Sequence, residues 1–163
     1  MDVLIAVFQI LAWGLVATVV MTTIMFGSQY MGLSRLSLPF LLGTWFTANR
    51  DAANILGFLL YTLGGWLFAF AYYFLFVSVG FATWWLGAIA GALHAMFLLL
   101  VILPLLPYAH PRMASEYAGA TSTRRLEPPG FLGLHYGYRT PLTTLIAQTV
   151  YGIILGAFFK VSS

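Results

Sequence analysis

Four apolar runs, near residues 3–26, 52–77, 83–106 and 141–159, pass without an acidic, lysyl or arginyl side chain inside them. A bilayer's hydrocarbon core is about 30 Å thick and takes roughly 20 helical residues to cross. Within it no water is available to pair backbone N–H and C=O groups, so runs of this kind close their hydrogen bonds internally as α-helices. The expected fold class is therefore an all-α membrane protein, a four-transmembrane-helix bundle forming a single transmembrane domain over residues 1–163. Composition excludes an ordinary soluble domain: 61% of residues are hydrophobic and 7% charged, where soluble domains carry about 25% charged residues.

The net charge of +3 would suit nucleic acid only if it were gathered on one surface. Instead Arg35 and Arg50 fall in the first connection (residues 27–51), and Arg112, Arg124, Arg125 and Arg139 in the third (107–140). Lys160 lies apart from them. Basic residues accumulate in short cytoplasmic connections, so both long connections are expected in the cytoplasm and both termini outside. The partners expected are the lipid bilayer and other membrane subunits, with no nucleic acid. A bacterial inner membrane fits a multi-pass chain of this kind. The absence of cysteine excludes disulfides and thiolate chemistry. The first run lacks a basic flank and a small-residue cleavage site and is too long for a signal peptide, so it is expected to stay as a helix.

The first connection mixes its arginines with Phe40, Trp45 and Phe46, as segments lying at a membrane interface do. The second, "SVGFATWW", is uncharged and short enough to require a tight hairpin, with Trp84 and Trp85 in the aromatic belt. The third exceeds the usual length of a connection and is expected to be functional or covered by a partner. "PFLLGTWF" (39–46) and "GFLGLHYG" (130–137) are alike, and each precedes a helix with small residues four apart. Two repeated halves, each a helix, an interfacial loop and a helix, would share one orientation about an axis along the membrane normal. Similar composition among apolar helices is the alternative.

The stretches "MGLSRLSLPFLLGTWFTANRDAANILGF", "LPLLPYAHPRMASE" and "RRLEPPGFLGLHYGYRTPL", followed by "YGIILGAFF", resemble a family of small four-span bacterial integral membrane proteins. The resemblance covers most of the chain and rests chiefly on "HPRMASE" and "LEPPGFL". It implies membership and topology, and no activity. It also implies that Tyr61 and Gln148 stand where relatives more often carry histidine.

Each run carries a small-xxx-small pair: Gly14/Thr18, Gly65/Ala69, Gly87/Gly91 and Gly152/Gly156. Lipid supplies no hydrophobic drive between helices, so close backbone approach over such residues is how they associate; room for a flat ring is the functional alternative. His94 is the ionisable residue inside the runs, about twelve residues deep. Such a residue usually faces the bundle or a cavity, and with all four acids elsewhere it is expected to be neutral, bonded to Tyr61, Gln148 or Thr18. No cofactor is expected, although a single His94–haem or His94–chlorin bond stays open. A bis-histidine site would need a second histidine at that depth, and His110 and His135 are both in the third connection. Met21, Met25 or Met96 as a ligand competes with methionine as filler.

The expected cytoplasmic face gathers Asn49, Arg50, Asp51, His110, Arg112, Glu116, Arg124, Arg125, Glu127, His135 and Arg139. Two histidines and a carboxylate can bind metal, but none has the spacing that preforms a site. Arg124, Arg125 and Arg139 suit a phosphate or lipid head group. Ion pairs such as Arg50–Asp51 and Arg112–Glu116 are the plainer expectation. No catalytic motif occurs, so an enzyme is the least supported class. The favoured expectation is a non-enzymatic small subunit or scaffold packing against a larger bacterial membrane complex, respiratory or photosynthetic. The runner-up is a small-molecule or ion transport or binding protein using a polar pocket around His94.

Overall fold

A computed structural model describes residues 3–161, and they are helical without strands. The elements are α1 (Val3–Tyr30), α2 (Leu38–Phe46), α3 (Arg50–Val79), α4 (Trp84–Phe97), a π-helical turn (Leu98–Ile102), α5 (Leu103–Ala109), a short 3₁₀ segment (Phe131–Tyr136) and α6 (Thr140–Phe158). Four helices are long and apolar enough to cross a membrane: Val3–Tyr30, Arg50–Val79, the continuous Trp84–Ala109, and Thr140–Phe158. The chain is a multi-pass, all-α membrane protein. The first two spanning helices outrun their apolar runs, because polar end residues such as Gln29 and Arg50 still lie within the helices.

The third span changes pitch near its middle. Pro104 has no N–H to give the carbonyl four residues earlier. Just before it, Leu98–Ile102 widens into the π-turn and the Leu103 N–H bonds to the Leu98 carbonyl. Wide turns of this kind absorb a lost rung of the helical ladder.

The chain forms two compact units, one of Met1–Ile24, Thr62–Ala95 and Leu145–Ser163, the other of Met25–Tyr61 and Met96–Thr144. In the first, the small-residue pairs meet two by two. A Cβ on Gly14 would touch the Ala69 side chain, and one on Gly65 would fall on Thr18, so α1 and α3 run antiparallel and close. In the same way Gly87 faces the Gly152 carbonyl, Gly152 faces the Gly87 carbonyl, and Gly91 faces the Gln148 carbonyl. These glycines serve packing. The unit's interior is aromatic, with Tyr72, Phe76, Tyr151 and Phe159 all buried. The Tyr151 hydroxyl donates to the Gly65 carbonyl at 2.6 Å, and the Trp66 indole N–H donates to the Leu11 carbonyl at 3.0 Å.

In the second unit, the first connection contains a true helix. Ser37 caps α2, its hydroxyl accepting from the Phe40 N–H at 3.4 Å, with Pro39 in the first turn. Helix α2 lies against α3 backbone to backbone: a Cβ on Gly43 would strike the Ala53 carbonyl, and one on Gly57 the Pro39 carbonyl. The two segments that match in sequence differ in backbone. Residues 39–46 are α-helical, whereas the 3₁₀ segment passes through left-handed Leu132 (φ 55°) and Gly133 (φ 73°). Gly130 and Gly133 permit that path at no steric cost, and α2 carries no second glycine to match.

The glycine contacts differ in what they tolerate. Gly87→Ala places a methyl on a backbone carbonyl that cannot rotate away, so it should lower stability by about 1–3 kcal/mol, as overpacking does. Gly64, one residue from a contact glycine, has nothing within 4 Å of its Cβ position. Gly64→Ala should therefore leave stability unchanged or raise it. Thermal unfolding in one detergent, read by circular dichroism, compares the two, and equal effects would refute the assignment.

Candidate functional site

Thr18, His94 and Gln148 belong to the first unit and Tyr61 to the second. The Thr18 hydroxyl donates within its own helix to the Gly14 carbonyl at 2.7 Å, and the buried Gln148 side chain has no partner for its Oε1 among the described residues. The side-chain neighbour of His94 is Tyr72, whose hydroxyl lies 3.5 Å from Nδ1. Tyr72 is not among the expected partners, which are Tyr61, Gln148 and Thr18. Tyr72 follows Tyr61 by three helical turns on the same helix, and the sequence lacked the register to choose between them. Phe68 covers one face of the imidazole, with ring centres 4.0 Å apart. His94 is half-buried, at the margin of the aromatic core formed by Tyr72 and Tyr151.

The second unit builds a cleft. The backbone of "HPR" (110–112) starts it. His110 is fully buried: its Nε2 lies 3.0 Å from the Leu41 carbonyl and 3.3 Å from the Thr44 hydroxyl, and its Nδ1 accepts the Arg112 N–H at 3.1 Å. One nitrogen accepts and the other faces a carbonyl, so the ring is the neutral Nε2–H tautomer. Burial pushes its pKa below the ordinary value, and the Arg112 and Arg124 charges push the same way, while the Leu41 carbonyl opposes them. Trp45 packs edge-on against the ring at 4.9 Å.

Arg112 then closes the end of α2. One guanidinium nitrogen donates to the Thr44 carbonyl at 2.7 Å and the Trp45 carbonyl at 2.9 Å. These are last-turn carbonyls with no helical partner, where a cation is favoured by the helix dipole. Arg112 is thus committed to carbonyls rather than to Glu116, and the expected Arg112–Glu116 and Arg50–Asp51 pairs do not form. The ion pair among the described residues is Arg35–Glu127, at 3.0 Å and exposed. The chain doubles back beyond Arg112, whose carbonyl accepts the Arg125 and Leu126 N–H groups at 3.0 Å each. Arg125 is brought beside Arg112 by this turn.

"LEPPGFLGLHYG" anchors the far wall. The Tyr136 hydroxyl donates to the Glu127 carbonyl at 2.6 Å, and burial, with the Glu127 charge, pushes its pKa up. The Arg35 N–H donates to the Tyr136 carbonyl at 2.6 Å, and its guanidinium to the His135 carbonyl at 2.5 Å. Below this, the buried Ser34 and Thr140 hydroxyls bond at 2.8 Å.

The resulting cleft has a volume of about 1090 Å³. Arg35, Arg50, Arg112 and Arg125 line it, with Gln29, Ser37, Asn54, Ser122 and Thr123 as further polar groups and Phe26 and Phe40 as aromatic wall; no carboxylate is among the lining residues. Of the expected polar cluster, Arg50, Arg112 and Arg125 meet here. Asp51 and Glu116 are exposed and outside the lining. Arg139 lies over the Tyr138 ring at 5.1 Å, His135 bonds the Pro128 carbonyl through Nδ1 at 3.0 Å, and Arg124 is half-buried outside the lining. No three His, Asp or Glu side chains come together as metal ligands among the described residues. Arg35 is the member that sequence reasoning left out. Its charge served as a topology signal, and nothing local shows that a turn 90 residues later returns to it. No family model, curated protein or solved structure matches the chain.

The neutral His110 ties stability to pH. Its folded pKa lies below the ordinary value of about 6.5, so the unfolded chain binds the extra proton first. The contribution is fully present above about pH 6.5 and is lost as pH falls through and below that value. Detergent-solubilised protein should therefore lose Tm between pH 7 and pH 5, and His110→Asn should flatten that slope. An unchanged slope in the variant would refute the neutral assignment.

Proposed function

We propose that the protein is a non-catalytic, ligand-binding component of a bacterial inner membrane, and that its ligand is an anion held by the arginine cleft on the cytoplasmic side. One observation carries this reading: four guanidinium groups line one cleft whose walls hold no carboxylate. Arg112 spends its hydrogen bonds on carbonyls, which satisfies donors without cancelling charge, whereas Arg35 is paired with Glu127 at the edge of the cleft. Arg50 and Arg125 have no carboxylate within salt-bridge distance among the described residues. Like charges gathered in one cleft repel unless an anion joins them, and arginine forks match oxyanions two bonds at a time. The polar pocket once expected around His94 is the weaker ligand site, because Phe68 and Tyr72 already occupy the imidazole's surroundings.

A role as a small non-enzymatic subunit of a larger membrane complex is compatible with this. It is supported by the broad apolar surface left on the spanning helices, where Leu67, Phe74, Trp84 and Leu93 are each 60% exposed or more. Lipid covers such a surface equally well, so co-migration with larger subunits after mild solubilisation is the observation that would establish it.

Sodium pyrophosphate or phosphate, at constant ionic strength against chloride, should raise the Tm of the purified protein by at least about 4 °C at saturating concentration. The double variant Arg50→Gln/Arg125→Gln should remove the rise. Equal Tm in all salts would sink the binding reading. Orientation is tested separately. Tyr117 is 88% exposed, and the chain has no cysteine of its own. A Tyr117→Cys variant should react with an impermeant maleimide after the cells are opened, and not before; labelling of intact cells would invert the topology.

A further inference from the structure

The aromatic side chains in the cleft's lining narrow the ligand further. Helix α1 has 28 residues and is about 42 Å long at 1.5 Å per residue, against a hydrocarbon core of about 30 Å. Shared between both ends, the excess is about 6 Å, or four residues. On that equal share Phe26, four residues before the end of α1, falls level with the edge of the hydrocarbon core, and Gln29 and Arg35 fall beyond it. The cleft's lining combines two aromatic side chains, Phe26 and Phe40, with the four guanidinium groups of Arg35, Arg50, Arg112 and Arg125. A free inorganic anion would use the guanidinium groups and leave the phenyl rings facing water.

We infer that the cleft binds a membrane amphiphile bearing a phosphomonoester, its phosphate on Arg50 and Arg125 and the first part of its chain against Phe26 and Phe40. This rests on the anion-binding reading above and names the substrate class of that same site. A monoester carries close to two negative charges at pH 7, where a diester head group carries one. Arg50 and Arg125 can each offer a two-pronged fork to its oxygens. Arg112, fixed on the Thr44 and Trp45 carbonyls, contributes charge rather than a mobile fork. Arg35 is held by Glu127 at the edge. A volume of about 1090 Å³ accommodates a phosphate, its glycerol and the first carbons of a chain, since pockets for whole drug-sized ligands span about 300–1,000 Å³.

The test uses the full chain in phosphatidylcholine nanodiscs, titrated calorimetrically with dihexanoyl phosphatidic acid, dihexanoyl phosphatidylglycerol and inorganic phosphate. The phosphatidic acid should bind at least tenfold more tightly than either of the others. Arg50→Gln/Arg125→Gln should weaken it at least tenfold, and Phe26→Ala/Phe40→Ala should bring its affinity down to that of inorganic phosphate while leaving phosphate binding unchanged. Unaltered circular dichroism and a single gel-filtration peak confirm that each variant is folded. If inorganic phosphate binds as tightly as the lipid, the amphiphile assignment fails while the anion-binding reading stands. If phosphatidylglycerol equals phosphatidic acid, the monoester assignment fails. If nothing binds, both readings fall.

Discussion

A backbone carbonyl that no helical ladder serves needs a donor from elsewhere, and the second unit is organised around supplying side-chain donors to backbone carbonyls. Arg112 serves the last carbonyls of α2, His110 the Leu41 carbonyl, Arg35 the His135 carbonyl and Gln29 the Leu36 carbonyl. Where such a group is buried, as around His110, leaving it unpaired would cost on the order of 1–3 kcal/mol. The segments carrying these donors are the ones that looked like plain connections, and their side chains turn inward to the main chain.

That use of arginine has an electrostatic consequence. A carbonyl accepts a hydrogen bond and leaves the donor's charge in place, whereas a carboxylate would neutralise it. With Glu127 on Arg35 as the ion pair among the described residues, the positive charge of the other lining arginines stays in the cleft. His110, two residues from Arg112, is kept neutral by burial and by the donor pattern around its ring. A charged ring there would add another cation beside the four.

Much of the fold was legible because lipid imposes strict requirements. Run length marked the four spans, and the small-xxx-small pairs marked the contact faces, since Gly87, Gly91 and Gly152 have no other reason to recur at helical spacing. Two features stayed hidden. Helix α2 reads as an amphiphilic mixture, and only the capping Ser37 and Pro39 hint that nine residues of it are helical. The left-handed passage at Leu132 and Gly133 makes the similar "GFLGLHYG" a different object, because backbone sign at a few residues is not carried by hydropathy.

The site was less legible than the fold for a reason of sequence distance. Arg35, Arg50, Arg112 and Arg125 come from two connections, and no local spacing relates them. What brings them together is a set of main-chain bonds: Arg112 O with the Arg125 and Leu126 N–H groups, and Arg35 N–H with the Tyr136 carbonyl. A phosphate-cradling loop or a paired-histidine motif announces itself because one short segment supplies the whole site. Here the charges were visible and their convergence was not. Main-chain ties within and between two connections therefore suffice to gather scattered arginines into one cleft.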